Sequence, residues 1–142
     1  AWLAVVVATV VLSACGGGSS STSAPKTSDL LNQALQAQVN GDTATATSKF
    51  QEVLAAEPAN QYAHYNLGLI QQKQGDNASA ESQYRAAIKT DPSYSPALYN
   101  LAIIRADLGA TAEAATLYQR VVDRTFWPLV GAYVWFVSAG LM

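Results

Sequence analysis

Apolar and polar positions along residues 27–125 follow a helical rhythm that restarts every 34 residues. In the central stretch Tyr65, Leu67, Leu69 and Ile70 recur with helix-like spacing, and no proline interrupts them. Asn60 stands before this block as a candidate N-cap. Gly75 ends it, because glycine enters the left-handed region cheaply. A second block carries Ala80, Tyr84, Ala87 and Ile88 on one face. Asp76 or Asn77 can cap its start, and Glu81 is expected to add a negative charge to its first turn. Asp91-Pro92 stops it, since the residue before proline is driven out of the helical region. The pattern predicts two helices joined by a tight turn.

A shift of 34 positions superimposes this unit on its neighbours. Asn66-Leu67-Gly68 becomes Asn100-Leu101-Ala102 downstream, and Gly75-Asp76 becomes Gly41-Asp42 upstream. Ala80 and Tyr84 become Ala46 and Phe50 on one side and Ala114 and Tyr118 on the other, and Pro92 becomes Pro58. A fixed period in this range marks stacked units that share a core. The first unit runs from about Thr27 to Asn60, where Ser28 or Thr27 can cap its first helix. Gln33 replaces the leucine found in the other two copies, as expected of a looser terminal unit. The third runs from about Ser95 to Phe126, with Ser95-Pro96 as N-cap and first-turn proline.

Three copies in register resemble the tetratricopeptide repeat, a helix-turn-helix of 34 residues. Counted from Gln61, the family's small and large positions are filled by Gly68, Ala80, Tyr84, Ala87 and Pro92. His64 and Gln71 depart from it, standing where large apolar and aromatic residues are usual. The resemblance implies an all-α fold, a right-handed superhelix of three repeats, in which Gly68 and Ala80 let the paired helices approach and Tyr84 fills the gap toward the next unit. It also implies a concave groove, lined by the first helix of each unit, that takes a peptide or protein partner. The positions facing that groove are Leu31, Leu35 and Gln38, then Tyr65, Leu69, Gln72 and Lys73, then Tyr99, Ile103 and Asp107. Asn32, Asn66 and Asn100 share one register. A side-chain amide donates and accepts, so such a row can pair with a peptide backbone, as in family members with an asparagine ladder. The alternative is that these amides bond between helices. The basic clamp for carboxylates found in some relatives looks absent, because Ser28, Leu31 and Pro96 hold the sites concerned.

The amino terminus reads as an address. WLAVVVATVVL, residues 2–12, is too short for a membrane span of about 20 residues but suits the apolar core of a secretory signal. Leu12-Ser13-Ala14-Cys15 resembles the lipobox of bacterial lipoproteins, which implies cleavage before Cys15 and lipid attachment to its thiol. GGGSSSTSAPKTS follows, a composition that stays solvated and forms a flexible tether spanning roughly 20 Å. The segments expected are therefore a signal peptide over 1–14, a lipidated Cys15 with its tether to 27, repeats over 28–125, and an apolar end over 126–142. That end is uncharged, and three readings stand open for it: a capping helix, a membrane span cut short, or a fragment artefact.

Bulk chemistry removes other classes. Charged residues are only 13% and the net charge is −2, with no basic stripe to hold nucleic acid. One cysteine allows no intrachain disulfide, and one histidine, His64, excludes a multi-histidine metal site. No nucleophile–base pair or phosphate loop is present, so neither catalysis nor a cofactor is expected. The reading is a non-catalytic adaptor, lipid-anchored at the outer face of a bacterial membrane and binding a peptide or protein. The alternative is an accessory repeat domain of a larger envelope enzyme or assembly factor.

Overall fold

The computed structural model describes residues 26–123, which form six helices and, within that range, no strand. They are α1 (Thr27–Val39), α2 (Thr43–Ala56), α3 (Gln61–Lys73), α4 (Asn77–Thr90), α5 (Ser95–Asp107) and α6, helical over 111–123. The signal segment, Cys15, most of the tether and the apolar end lie outside the described residues. Leading helices α1, α3 and α5 start 34 residues apart. Contacts run between chain neighbours, α1 on α2, α2 on α3, α3 on α4 and α4 on α5, which is the order of a helical-repeat solenoid.

One device makes every hairpin turn. Gly41, Gly75 and Gly109 have φ of 79°, 85° and 78°. The glycine N–H returns to the residue three back, and the next N–H returns to the residue five back, as in Asp76 N–H to the Gln71 carbonyl at 3.0 Å. This is the Schellman closure, and it needs a residue that tolerates positive φ. Asp42 and Asp76 close one helix through their backbone and open the next through their side chains, each accepting a backbone N–H at 3.0 Å. Hydrogen bonds from Thr45 and Ser79 hold these carboxyls below their ordinary range.

Three sequence expectations about helix ends are corrected. The N-cap of α1 is Lys26, not Thr27 or Ser28, and no side chain caps it. The N-cap of α5 is Tyr94, so Ser95 lies inside the helix and its hydroxyl turns back to the Ser93 carbonyl. Glu81 sits beyond the first turn of α4, which holds no acid, and pairs with arginines instead. Asn60 does cap α3, accepting the Ala63 N–H at 3.0 Å.

The middle leading helix, α3, is shared by two cores. Ala63, Leu67 and Ile70 of α3 pack with Leu30, Ala34 and Phe50 of the first unit. On its other side Gly68 meets the ring of Tyr84, and Tyr65 and Leu69 pack against the core that α4 builds with α5. The face of α1 equivalent to Ala63, Leu67 and Ile70 carries Asp29, Gln33 and Gln36, all exposed. A polar outer face is what a first repeat needs, since none of the described helices stacks upon it.

The second and third units are tied by charge. Arg85 and Arg105 each reach both Glu81 and Glu113, at 2.7–3.3 Å. Arg85, followed by Arg105, holds the Glu113 carboxyl below its usual range. Arg105 occupies the register of Gln71, and there the second unit has no such partner: the Gln71 Oε1 is buried without a hydrogen bond. An unmet buried carbonyl costs about 1–3 kcal/mol. Gln71→Leu is therefore expected to raise stability by about 1 kcal/mol, seen as a higher urea midpoint. An unchanged or lower midpoint would mean that the amide finds a partner in solution.

Candidate functional site

Among the described residues, the leading helices leave one face uncovered. Of the six large apolar residues that are exposed among the described ones, Leu35, Val39, Tyr62 and Tyr99 lie on α1, α3 and α5, at 39%, 81%, 49% and 51% exposure. All four fall at registers expected to face the groove or one turn from them. Leu31, Tyr65, Leu69 and Ile103 are half-buried, and the bodies of Leu31, Tyr65 and Leu69 pack inward while an edge stays open. Lys73 and Asp107 are exposed at equivalent positions near the ends of α3 and α5. A hollow of about 330 Å³ between the ends of α1 and α3 is lined by Gln38, Gly41, Ile70 and Lys73.

The three asparagines share a register but not an environment. Asn32 is exposed on α1. Asn66 is half-buried, and its Nδ2 donates to the Tyr62 carbonyl one turn back at 2.8 Å. Asn100 Nδ2 donates to the Tyr65 hydroxyl at 3.4 Å, across the junction of the second and third units. The amide nitrogens of Asn66 and Asn100 are thus engaged, and their Oδ1 atoms are the groups left to accept a hydrogen from a ligand.

Tyrosines make the junction between those units. Tyr84 is fully buried, with its ring 6.0 Å from that of Tyr65 and its hydroxyl donating to Gln72 Oε1 at 2.7 Å. Burial pushes its phenol well above the ordinary value, so it remains a donor. Tyr94 stands at right angles to Tyr62, centroids 5.8 Å apart, and nearly so to Tyr65 at 5.4 Å. Burial, with neighbouring Tyr65, raises its pKa to about 12. Edge-to-face pairs of this kind contribute about 0.5–1.5 kcal/mol beyond area burial.

His64 is a strut. Its Nε2–H donates to the Pro58 carbonyl at 3.0 Å, and its Nδ1 meets the Gln83 amide at 2.7 Å, so one ring joins α3 to α4 and to the preceding turn. Among the described residues no group of His, Cys, Asp or Glu could hold a metal. No described helix is long and apolar enough to cross a membrane. Reading the sequence by period puts Tyr65 and Tyr99 among the groove positions and leaves Tyr62 and Tyr94 undivided between packing and groove. The signal was there: Tyr62 lies one turn from Tyr65, and Tyr94 comes just before the first residue of the next leading helix.

Solved structures agree with this architecture. MamA aligns with a TM-score of 0.64 at 17% identity, over 69% of this chain and 57% of its own. The second tetratricopeptide domain of Spaghetti (RPAP3), bound to an HSP90 peptide, aligns at 0.62 with 24% identity, over 68% and 89%. An O-GlcNAc transferase mutant from Thermobaculum terrenum aligns at 0.62 with 27% identity, over 68% of this chain and 19% of that one. The chain thus spans little more than half of MamA and about a fifth of the transferase. No curated protein matches the sequence. The family described as the cilia and flagella-associated protein 70 middle TPR-like domain matches residues 30–128, and the chain belongs to that tetratricopeptide-like family.

Proposed function

We propose that the chain is a non-catalytic interaction module that binds an extended peptide or protein segment along the face of α1, α3 and α5. The supporting observation is the collection of exposed Leu35, Val39, Tyr62 and Tyr99 on those three helices. Large apolar residues left open on one face, beside unused amide oxygens, suit a partner with side chains to bury and backbone N–H groups to donate. The RPAP3 domain holds a peptide, which supports a ligand of this class. Asn66 is the cleanest probe, because its one side-chain bond among the described residues is to its own helix. Asn66→Ala is expected to weaken a bound peptide about five- to tenfold, the loss of roughly one hydrogen bond, with the melting temperature unchanged. A fall in melting temperature with affinity retained would make the residue structural.

The module is held, on this reading, at the extracytoplasmic face of a bacterial membrane by lipid on Cys15. Support comes from Leu12-Ser13-Ala14-Cys15 after an apolar run and before a Gly/Ser tether. Several acyl chains anchor stably where one holds only marginally. Expressed with a complete leader, Cys15→Ala is expected to leave the membrane fraction or accumulate unprocessed. Wild-type fractionation of that variant would remove the lipid anchor from the account. A second reading has one observation in its favour: the same repeats cover only 19% of the transferase chain, so they also occur as part of an enzyme. There they would position a partner for chemistry done elsewhere.

A further inference from the structure

The end of the open face where α3 and α5 begin differs from the rest of it. Its leading-helix positions are Tyr62, Tyr65 and Asn66, then Pro96, Tyr99 and Asn100, with Tyr94 between them. None is charged. Lys73 and Asp107 lie at the far ends of the same helices, and Asp91 is turned onto the N–H and hydroxyl of Ser93. Part of the hydrogen-bonding capacity at this end is already taken up within the protein. The amide nitrogens of Asn66 and Asn100 are engaged, and the Tyr65 and Tyr84 hydroxyls are bonded to Asn100 and Gln72. The hydroxyls of Tyr62, Tyr94 and Tyr99, with the Tyr65 hydroxyl that accepts from Asn100 and keeps its own hydrogen, offer donors here, and the rings of Tyr62, Tyr94 and Tyr99 are half-exposed or stand edge-on to a neighbouring tyrosine.

Each class of occupant meets this surface differently. An anionic segment would lose its hydration beside Asp91, whose charge is felt at the Tyr94 phenol, and a cationic one would have to compete with Ser93 for that carboxylate. A helix has spent its carbonyls on itself. A polyproline II segment has none of its backbone oxygens bonded, carries no charge from its prolines and offers flat rings to aromatic faces. It also binds with little further loss of backbone freedom, being already extended. We propose that this end of the groove takes a proline-rich, uncharged segment in the polyproline II conformation, its rings against Tyr62, Tyr94 and Tyr99 and its carbonyls accepting from their hydroxyls. The Oδ1 atoms of Asn66 and Asn100 then receive the N–H of the non-proline residues between. This rests on the reading of α1, α3 and α5 as a peptide-binding face.

Two fluorescein-labelled peptides of equal length test it against the full chain by polarisation: alternating alanine and proline, and alternating alanine and serine. The expected result is at least tenfold tighter binding of the proline peptide. Tyr99→Ala should weaken that binding at least fivefold, and Tyr62→Phe, which keeps the packing against Tyr94, should weaken it by less. Equal affinity for the two peptides with both sensitive to Asn66→Ala would overturn the proline preference and leave the peptide-binding face standing. Affinity unaffected by Tyr99→Ala and by Tyr62→Phe would overturn the aromatic site. No binding of either peptide would overturn the proposal as well. The wider face would then be judged separately, on peptides selected from a random library.

Discussion

Tyr84→Ala is expected to lower stability by about 3–5 kcal/mol, in the range for removing a buried aromatic ring. Tyr84 is the largest fully buried side chain among the described residues. Its ring lies on Gly68 of α3, packs with Tyr65 and belongs to the core shared with Ala97, Leu98 and Leu101 of α5. Truncation therefore empties a space that three helices border. Single domains are stable by only about 5–15 kcal/mol, so such a loss takes much of the reserve. Urea unfolding followed by circular dichroism should show a lower midpoint, and in a stacked array the third unit should uncouple from the first two. Tyr84→Phe separates packing from hydrogen bonding. It removes only the hydroxyl that donates to Gln72 and is expected to cost about 1 kcal/mol. A cost below 1 kcal/mol for the alanine variant would mean that the helices do not share this ring.

Gly68→Ala should destabilise even though alanine normally favours a helix over glycine by about 1 kcal/mol. A β-carbon at Gly68 would sit 2.6 Å from Tyr84 Cε1 and 2.8 Å from its Cδ1. The ring has nowhere to go, being buried and held by Gln72 at its far end. Overpacking of this kind costs about 1–3 kcal/mol, and contacts as short as these put it toward the upper end, so the net effect is a loss of up to about 2 kcal/mol once the gain in propensity is set against it. The sign is the diagnostic. At the same register the other units carry Ala34 and Ala102, both buried, so the method of packing is shared while the clearance is not. Tyr84→Leu in the same chain should recover part of the loss, because the narrower side chain frees the space, and the double-mutant cycle would report that coupling. Stabilisation by Gly68→Ala would show that α3 and α4 stand farther apart than described.

Much of this fold was legible because the repeat carries its own punctuation. Gly41, Gly75 and Gly109 recur at the turns, and small residues at Gly68, Ala80 and Ala87 face large ones, so period and packing agree without knowledge of contacts. The helix starts at Lys26 and Tyr94 were misjudged for a physical reason. A cap is chosen by an extended backbone at the boundary, and serine or threonine one residue inside cannot serve. The Arg85–Arg105–Glu81–Glu113 network was also invisible. Its bonded partners lie up to 28 residues apart, and only the stacking of α4, α5 and α6 brings them together. Gln71 was seen as a departure from the pattern, but that its carbonyl is buried unmet required the packing. The asparagine row is the middle case. Period placed all three at one register, while the acceptors they use, Tyr62 for Asn66 and Tyr65 for Asn100, depend on side-chain rotamers that periodicity does not encode.

The shared face of α1, α3 and α5 is tested most directly by hydrogen exchange on the full chain, with and without a peptide selected on it from a random phage-displayed library and counter-selected against the Asn32→Ala, Asn66→Ala, Asn100→Ala triple variant. Added protection should fall on α1, α3 and α5 together and leave α2 and α4 near their free rates. Protection concentrated on α2 and α4, or peptides that bind the triple variant as well as the parent, would contradict the account.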